Sequence, residues 1–366
     1  MKITSGYFGT NFKGGLETGA MSLRVGVVGM GGIGMAHAEV YRNDSLSDLV
    51  CVCDIVKERA EEAAEKLGVG AYCSVEDMLE GEQLDIVGVC TGGHENGSLH
   101  YEPVMQCLGA GMHVLAEKPI SNVIGEGREM VAEARKRGLY FGINLNHRFV
   151  PLIERAKAFH EEEMDEDIFC RLSMWIGYSQ AYSPPDSPRM AGYPYFHVRA
   201  FLPHPLDIGR YFFGDVVKVQ AFLGQPGFRE EAGDAMLSTV AINMLFESGA
   251  VGHLLSSRDL PGGLGTGWQR WEFAGREGRF VLDDQNDTLR IYRHPDSPNF
   301  TVLRNSLVDT FQRRIHRFLE QVSEGVPRCE IEGSGEEGLA VQEIIEAAIL
   351  SHETNRVVEP EEVPPA

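Results

Sequence analysis

The chain has 366 residues, 43% of them hydrophobic, with a formal net charge of −21 and seven cysteines. That length suits two domains, and the apolar fraction is enough to fill a core in each. The acidic balance excludes nucleic acid and anionic membrane surfaces as partners, because both demand clustered Lys and Arg.

Residues 1–22 open the chain. The first 20 hold five glycines and two lysines but no apolar segment of the signal-peptide kind, so 1–22 reads as a flexible leader. No run approaches 18 apolar residues, so no membrane span is expected. The cysteines, at 51, 53, 73, 90, 107, 170 and 329, form an odd set without a C-x-x-C pair or a Cys/His cluster at zinc spacing. Several lie in apolar runs, where a thiol acts as a small hydrophobe. A reduced, cytoplasmic setting without a protein-bound metal is the expectation.

From residue 23 to 145 strand-like and helical segments alternate. The first strand, 23–28, runs into Gly29, Met30, Gly31, Gly32, Ile33 and Gly34, a G-x-G-x-x-G turn that leads into a helix over Ile33 to Arg42. In such a loop Gly29 turns tightly, Gly31 lets a pyrophosphate approach the backbone, and Gly34 lets helix and strand pack closely. The helix N-terminus offers free N–H groups to the phosphates. Asp54 ends the next strand, 48–53, and lies 20 residues beyond Gly34. A carboxylate there accepts hydrogen bonds from ribose hydroxyls and repels a 2′-phosphate, which points to NAD; Lys57 keeps NADP open as an alternative.

Further strands are expected at 84–90, 112–116 and 139–144. Together these segments imply a doubly wound parallel sheet, with its ligand crevice beyond the carboxyl ends of the strands. Thr91, His94, His100, Glu117 and Lys118 all fall there.

The texture changes after residue 145. A helix is expected over Pro151 to Glu162, with proline at its first position. Strands follow at 167–178, 215–223, 235–246, 249–257, 268–274, 279–283 and 288–293, and helices at 306–324 and 335–353. Short links between these strands imply an α+β domain over 146–366, built on a large, mainly antiparallel open sheet with helices on one face. The proline- and tyrosine-rich stretch 180–196 reads as a loop over a cleft.

Four motifs carry a family resemblance: Val25 to Gly34 with His37; Thr91 to His100; Gly111 to Ser121 with its Glu117-Lys118-Pro119; and Gly142 to Pro151 with its Asn146-His147-Arg148-Phe149. With the C-terminal stretch from Gly335 to Val358, the chain resembles the glucose-fructose oxidoreductase and inositol dehydrogenase family (Gfo/Idh/MocA). The resemblance implies a two-domain NAD(P)-dependent oxidoreductase acting on alcohol carbons of sugars, cyclitols or polyols. It also implies a homodimer or homotetramer joined through the second sheet, and a cis bond between Lys118 and Pro119.

Two residues are expected to carry the chemistry. Lys118, held at a strand end beside the nicotinamide, can take or return a hydroxyl proton if desolvation lowers its pKa. His204 lies in a segment similar to the family's H-x-x-D, whose histidine assists proton transfer, and an ordinary imidazole titrates near neutrality. Asp207, from the same segment, is placed at the substrate; its structural alternative is a first-turn acid of a helix starting at Pro205. Family dehydrogenases carry an aspartate four residues before that histidine, and this chain has Ala200 there. His197, Arg199, Tyr193 and Tyr195 are candidates for the vacant role. His197, seven residues before His204, would share its face on a continuous helix.

Arg148 is expected to position substrate or fasten the domains together. His94 and His100 are expected along the cofactor crevice. Trp268 and Trp271 offer a stacking surface for a sugar but suit a core equally well. Two alternatives remain beside the dehydrogenase: an NAD-recycling glycosidase, and a non-catalytic NAD or sugar sensor suggested by the lost aspartate.

Overall fold

β1 (Leu23–Val28) shows no alternation of apolar and polar residues: Val25, Val27 and Val28 are all buried, as in a strand covered on both faces. The computed structural model describes residues 22–93, 95, 97–177, 192–231, 233–260, 268–283, 287–293, 300–304 and 310–364. The leader apart from its last residue, His94 and the 180–196 stretch up to residue 191 lie outside the described residues.

β1 pairs in parallel with β2 (Ser47–Cys53) and β4 (Ile86–Val89). β3 (Gly70–Tyr72), β5 (His113–Ala116) and β6 (Phe141–Ile143) complete a six-stranded parallel sheet of order β3-β2-β1-β4-β5-β6. Its crossover helices are α1 (Gly32–Asn43), α2 (Lys57–Leu67), α3 (Val75–Gly81), α4 (Tyr101–Gly109) and α5 (Ile124–Arg137). The strand order reverses between β1 and β4, which opens a crevice at their carboxyl ends. β3, at the edge of the sheet, escapes the sequence reading.

A 3₁₀ turn, Asn146–Phe149, and α6 (Pro151–Glu163) lead into the second sheet. Its strands are β7 (Asp167–Gly177), β8 (Val216–Gly224), β9 (Thr239–Phe246), β10 (Val251–Leu260), β11 (Trp268–Gly275), β12 (Gly278–Asp283), β13 (Thr288–Arg293) and β14 (Phe300–Arg304). They lie in the order β14-β13-β12-β11-β7-β10-β9-β8, antiparallel except for β7 beside β10. β14 was not expected from the sequence. One face packs on helices through a core of aromatic rings, in which Phe212 and Phe273 stand 4.5 Å apart and Phe273 and Phe280 5.0 Å. The other face exposes Phe169, Phe222, Val251 and Leu255.

The continuous helix expected to align His197 with His204 is two helices, α7 (Phe196–Phe201) and α8 (Pro203–Phe213). The chain breaks at Leu202 because Pro203 lacks an N–H and takes the first position of α8, two residues before the expected start.

α10 (Thr310–Glu324) and α11 (Gly335–Thr354) return to the first sheet. A buried guanidinium joins these parts. Arg148 Nε donates to Asp207 Oδ2 at 2.8 Å, its Nη2 donates to Asp207 Oδ1, and its Nη1 donates to Glu337 Oε1. Glu337 also accepts the Ser334 N–H at 3.1 Å in the capping box of α11. Burial opposes the Arg148 charge, but the two carboxylates outweigh it and hold its pKa above the ordinary value.

Two lesser ties run in parallel. Arg199 on α7 reaches Glu346 at 2.8 Å and Glu95 at 2.7 Å, and Arg128 reaches Glu343 at 3.0 Å.

Replacing Arg148 strands two carboxylates, so Arg148→Met is expected to lower the unfolding free energy by about 3–5 kcal/mol. Arg128→Met, at a partly exposed pair, should cost no more than about 1 kcal/mol. Urea denaturation of both variants checks this; equal losses would remove Arg148 from its place as the anchor.

Candidate active site

The glycine loop is shaped as a phosphate cradle. Gly29 has φ +92°, and a Cβ on it would stand 2.8 Å from main-chain atoms of Cys90 and Thr91. A Cβ on Gly34 would stand 1.8 Å from the Gly29 oxygen, so neither position admits another residue. Gly31 and Gly32 face open space, and Gly31 caps α1 without any side-chain bond, leaving the first N–H groups of the helix to an anion.

Asp54 is buried against this loop. Its Oδ2 accepts the Met30 N–H and its Oδ1 the Val56 N–H, each at 2.8 Å. A carboxylate held this way has lone pairs left for ribose hydroxyls and meets a 2′-phosphate with fixed negative charge. The residues present therefore fit NAD: the loop Gly29 to Gly34 for the pyrophosphate, Asp54 for the ribose.

From the crevice a cleft of about 640 Å³ opens toward the second sheet. Ile33, Cys90, Thr91, Glu117 and Lys118 line it from the first sheet, with Thr310 and Phe311 from the helix packed on that sheet; Asn146, His147, His204, Gln269 and Trp271 complete the lining. Lys118 follows β5 through a cis bond to Pro119, as the resemblance implies. Its Nζ donates to the Ala200 oxygen at 2.8 Å and stands 5.9 Å from the centroid of the Phe201 ring. Burial pulls the Lys118 pKa below its ordinary value, and the neighbouring Glu117 only partly offsets this.

Glu117 itself is occupied. Its Oε1 accepts from Asn144 Nδ2 at 2.5 Å and lies 2.9 Å from His37 Nε2, while its Oε2 accepts the Lys118 N–H at 3.2 Å. It braces the lysine turn, and its Oε2, with a single hydrogen bond, keeps a lone pair on the cleft side. His100 lies beneath the same turn, with Nδ1 at 2.8 Å from the Pro119 oxygen and Nε2 at 2.6 Å from the Thr91 oxygen. It buttresses the crevice from below and does not line it. Burial draws its pKa down against the pull of those carbonyls.

Two imidazoles meet in the cleft. The rings of His147 and His204 stack at 3.9 Å between centroids with 6° between their planes. His147 Nδ1 is 3.2 Å from Gln269 Nε2, whereas His204 Nδ1 is buried without a partner. Burial lowers both pKa values, His147 to about 4 and His204 well below its ordinary value, with nearby Lys118 acting in the same direction. The expectation that His204 titrates near neutrality is thereby corrected.

At position 200 the methyl group packs with Phe196 and Met236 in a small apolar cluster. The side chain at this position is thus given to apolar packing.

Several residues assigned from sequence to the substrate lie elsewhere. Arg148 and Asp207 satisfy each other behind the cleft wall. His197 is buried, with Nε2 at 2.9 Å from Ser256 Oγ, because the break at Leu202 turns it away from His204. Tyr193 packs on the Phe196, Ala200 and Met236 cluster. Arg199 is taken by Glu95 and Glu346, and the Tyr195 hydroxyl by Glu353. None of these six lines the cleft. Trp271 does; the side chain of Trp268 is outside the described residues.

His147, Asn146, Gln269 and Thr310 were not anticipated. His147 and Asn146 stand in a motif where the neighbouring arginine drew attention. Gln269 and Thr310 enter only through tertiary packing and leave no local signal. Among the described residues no cluster of three or more His, Cys, Asp or Glu side chains is arranged to hold a metal.

Residues 23–145 match the oxidoreductase family with an NAD-binding Rossmann fold, and residues 181–281 match the C-terminal domain of the same family. The chain is 28% identical to a myo-inositol 2-dehydrogenase of Thermotoga maritima over 350 residues, covering 93% of this chain and 99% of that protein. It is 26% identical to the scyllo-inositol 2-dehydrogenase (NAD(+)) of Bacillus subtilis over 301 residues, 80% and 82% of the two chains. In fold it is similar to levoglucosan dehydrogenase in complex with NADH, with a TM-score of 0.81 and 22% identity over 94% of this chain and 100% of the other. The glycine cradle, the half-buried lysine at the end of β5 and these matches lead to one conclusion: the chain belongs to the Gfo/Idh/MocA family of NAD-binding oxidoreductases.

Proposed function

We propose that this oxidoreductase interconverts a secondary alcohol and a ketone on a sugar, cyclitol or related polyol, with Lys118 exchanging the hydroxyl proton. The observation that carries this is the half-buried Lys118 ammonium where the crevice meets the cleft, held by the Ala200 carbonyl and lowered in pKa by desolvation. NAD bound in the crevice supplies the hydride acceptor, and NADH the donor in the reverse direction. In the oxidising direction the neutral Lys118 amine accepts the hydroxyl proton at Nζ; in the reducing direction the ammonium returns it to the carbonyl oxygen. The Ala200 carbonyl holds the ammonium in place and completes one of its hydrogen bonds. His204, Asn146 and Thr310 contact the other hydroxyls, and Trp271 offers its face to the ring.

Relatives support a cyclic polyol. The Thermotoga and Bacillus proteins are named for inositols, and levoglucosan dehydrogenase has been solved with levoglucosan and with L-sorbose.

We also propose that copies associate through the open face of the second sheet. Phe222 and Leu255 flank Ala241 on adjacent strands there, an apolar strip that water would otherwise cover. All seven cysteines are free thiols, which suits the cytoplasm, and among the described residues no helix is long and apolar enough to cross a membrane.

Three measurements bear on this. Lys118→Ala should lower kcat on inositols by about 10²–10⁴ while NADH affinity, read by fluorescence, stays within about threefold. Lys118→Arg should fail to restore the rate, since a guanidinium keeps its proton. In the wild type, oxidation should rise and ketone reduction fall as pH increases through the lowered Lys118 pKa; rates independent of pH would remove Lys118 from the proton transfer.

Asp54→Asn should reduce the preference for NAD over NADP by at least about tenfold in kcat/KM, because the fixed charge facing a 2′-phosphate is gone. An unchanged ratio would place selectivity elsewhere. Phe222→Glu with Leu255→Glu should lower the particle mass in light scattering while the circular dichroism is retained; an unchanged mass rejects the sheet interface.

A further inference from the structure

Beyond Lys118, the cleft holds two stacked imidazoles whose Nδ1 atoms are both denied an acceptor. His147 Nδ1 faces the Gln269 amide nitrogen at 3.2 Å. An amide N–H can only donate, so Nδ1 carries the lone pair and the ring proton sits on Nε2. His204 Nδ1 is buried with no partner. An orphaned N–H costs more than an orphaned lone pair, so this ring too carries its proton on Nε2.

We infer that His147 and His204 act as a pair of hydrogen-bond donors that hold substrate oxygens through Nε2–H, with Gln269 the positioning residue that sets the His147 tautomer and Lys118 the cleft group that exchanges the proton. This rests on the dehydrogenase reading above. Among the groups facing the pair, the Lys118 charge disfavours a second ring proton. Lys118 brings positive charge from the end of β5, and the Gln269 amide and the Trp271 ring, 6.0 Å from His147, bring no anion from β11. Asp207, one turn from His204 on α8, is already bound by Arg148. A proton added to either ring would place an N–H against the Gln269 amide or against nothing. Burial accordingly draws both rings toward the neutral form.

The consequence for the reaction is specific. The hydroxyl proton released when the carbinol carbon is oxidised passes to the neutral Lys118 amine, and neither imidazole takes it. The removal of the aspartate at position 200 then costs nothing, because no relay through His204 Nδ1 is required.

Two-bond ¹H–¹⁵N correlation spectra of the full, ¹⁵N-labelled chain read this directly, with His147→Phe and His204→Phe assigning the signals. Expected are a protonated Nε2 and a bare Nδ1 on both rings, unchanged from about pH 8 to about pH 6, across the ordinary imidazole range. An Nδ1–H tautomer on either ring, or a titration midpoint inside that range, overturns the inference.

Gln269→Glu supplies the missing acceptor. It should move the His147 proton to Nδ1, raise its midpoint toward the ordinary value and add an ionisation to the pH profile of kcat/KM. An unaltered His147 tautomer in that variant removes Gln269 from the positioning role. His147→Phe keeps the stacked shape without the donor and should raise the KM for polyol about threefold to tenfold with NADH affinity unchanged; an unchanged KM overturns the substrate contact. The tautomers are read without turnover. A wild type inactive on every polyol would therefore sink the dehydrogenase reading while leaving the ring protonation states decided on their own.

Discussion

The fork between Arg148 and Asp207 is the interaction on which the site depends. Arg148 belongs to the turn that follows β6, and Asp207 to α8 beneath the second sheet. Their neighbours in sequence, His147 and His204, are the residues that face the cleft. Locking the guanidinium to the carboxylate fixes the turn against the helix, and the two rings are thereby set face to face at 3.9 Å. A bidentate pair transmits position well because both partners are planar and both are out of water. Glu337 extends the same anchor to the N-terminus of α11, so the cleft wall is tied to the C-terminal helix.

The chemistry of the cleft follows from burial more than from residue identity. Lys118 is an ordinary lysine by sequence; desolvation is what lowers the pKa of its amine. The same desolvation draws two histidines toward the neutral form. Glu117, the most conspicuous acid nearby, is bonded to His37, Asn144 and the Lys118 backbone. One group free to change charge, surrounded by fixed donors, is an arrangement that aligns substrate before the proton moves.

The substitution at position 200 illustrates how a departure from a family pattern can be read wrongly when taken alone. Read in sequence, Ala200 suggests a lost function. In three dimensions its methyl group fills an apolar pocket, its carbonyl carries the Lys118 ammonium, and His204 is left with a bare Nδ1 that needs no partner when it stays neutral. The backbone thus keeps one of the roles available to position 200, while the side chain has been turned to packing.

The cofactor half of this protein was legible from residue order, because it is local. A glycine loop, its helix and an acid 20 residues on are specified by backbone geometry within one crossover unit. The parallel and antiparallel sheets were legible too, since most strands lie within apolar runs bounded by turn residues; only β3 and β14, at sheet edges, were missed. The substrate half was not. Whether Arg148 or His147 faces the ligand depends on the twist of one 3₁₀ turn, and whether His197 and His204 share a face depends on a break at Leu202. Gln269 reaches the site from a strand 122 residues beyond the ring it orients. Sequence by itself therefore determined the fold class, the dinucleotide cradle and the lysine, all set by contacts close along the chain. Tertiary structure alone decided which neighbours point inward and which protons they carry, because those follow from long-range packing and burial that no local pattern encodes.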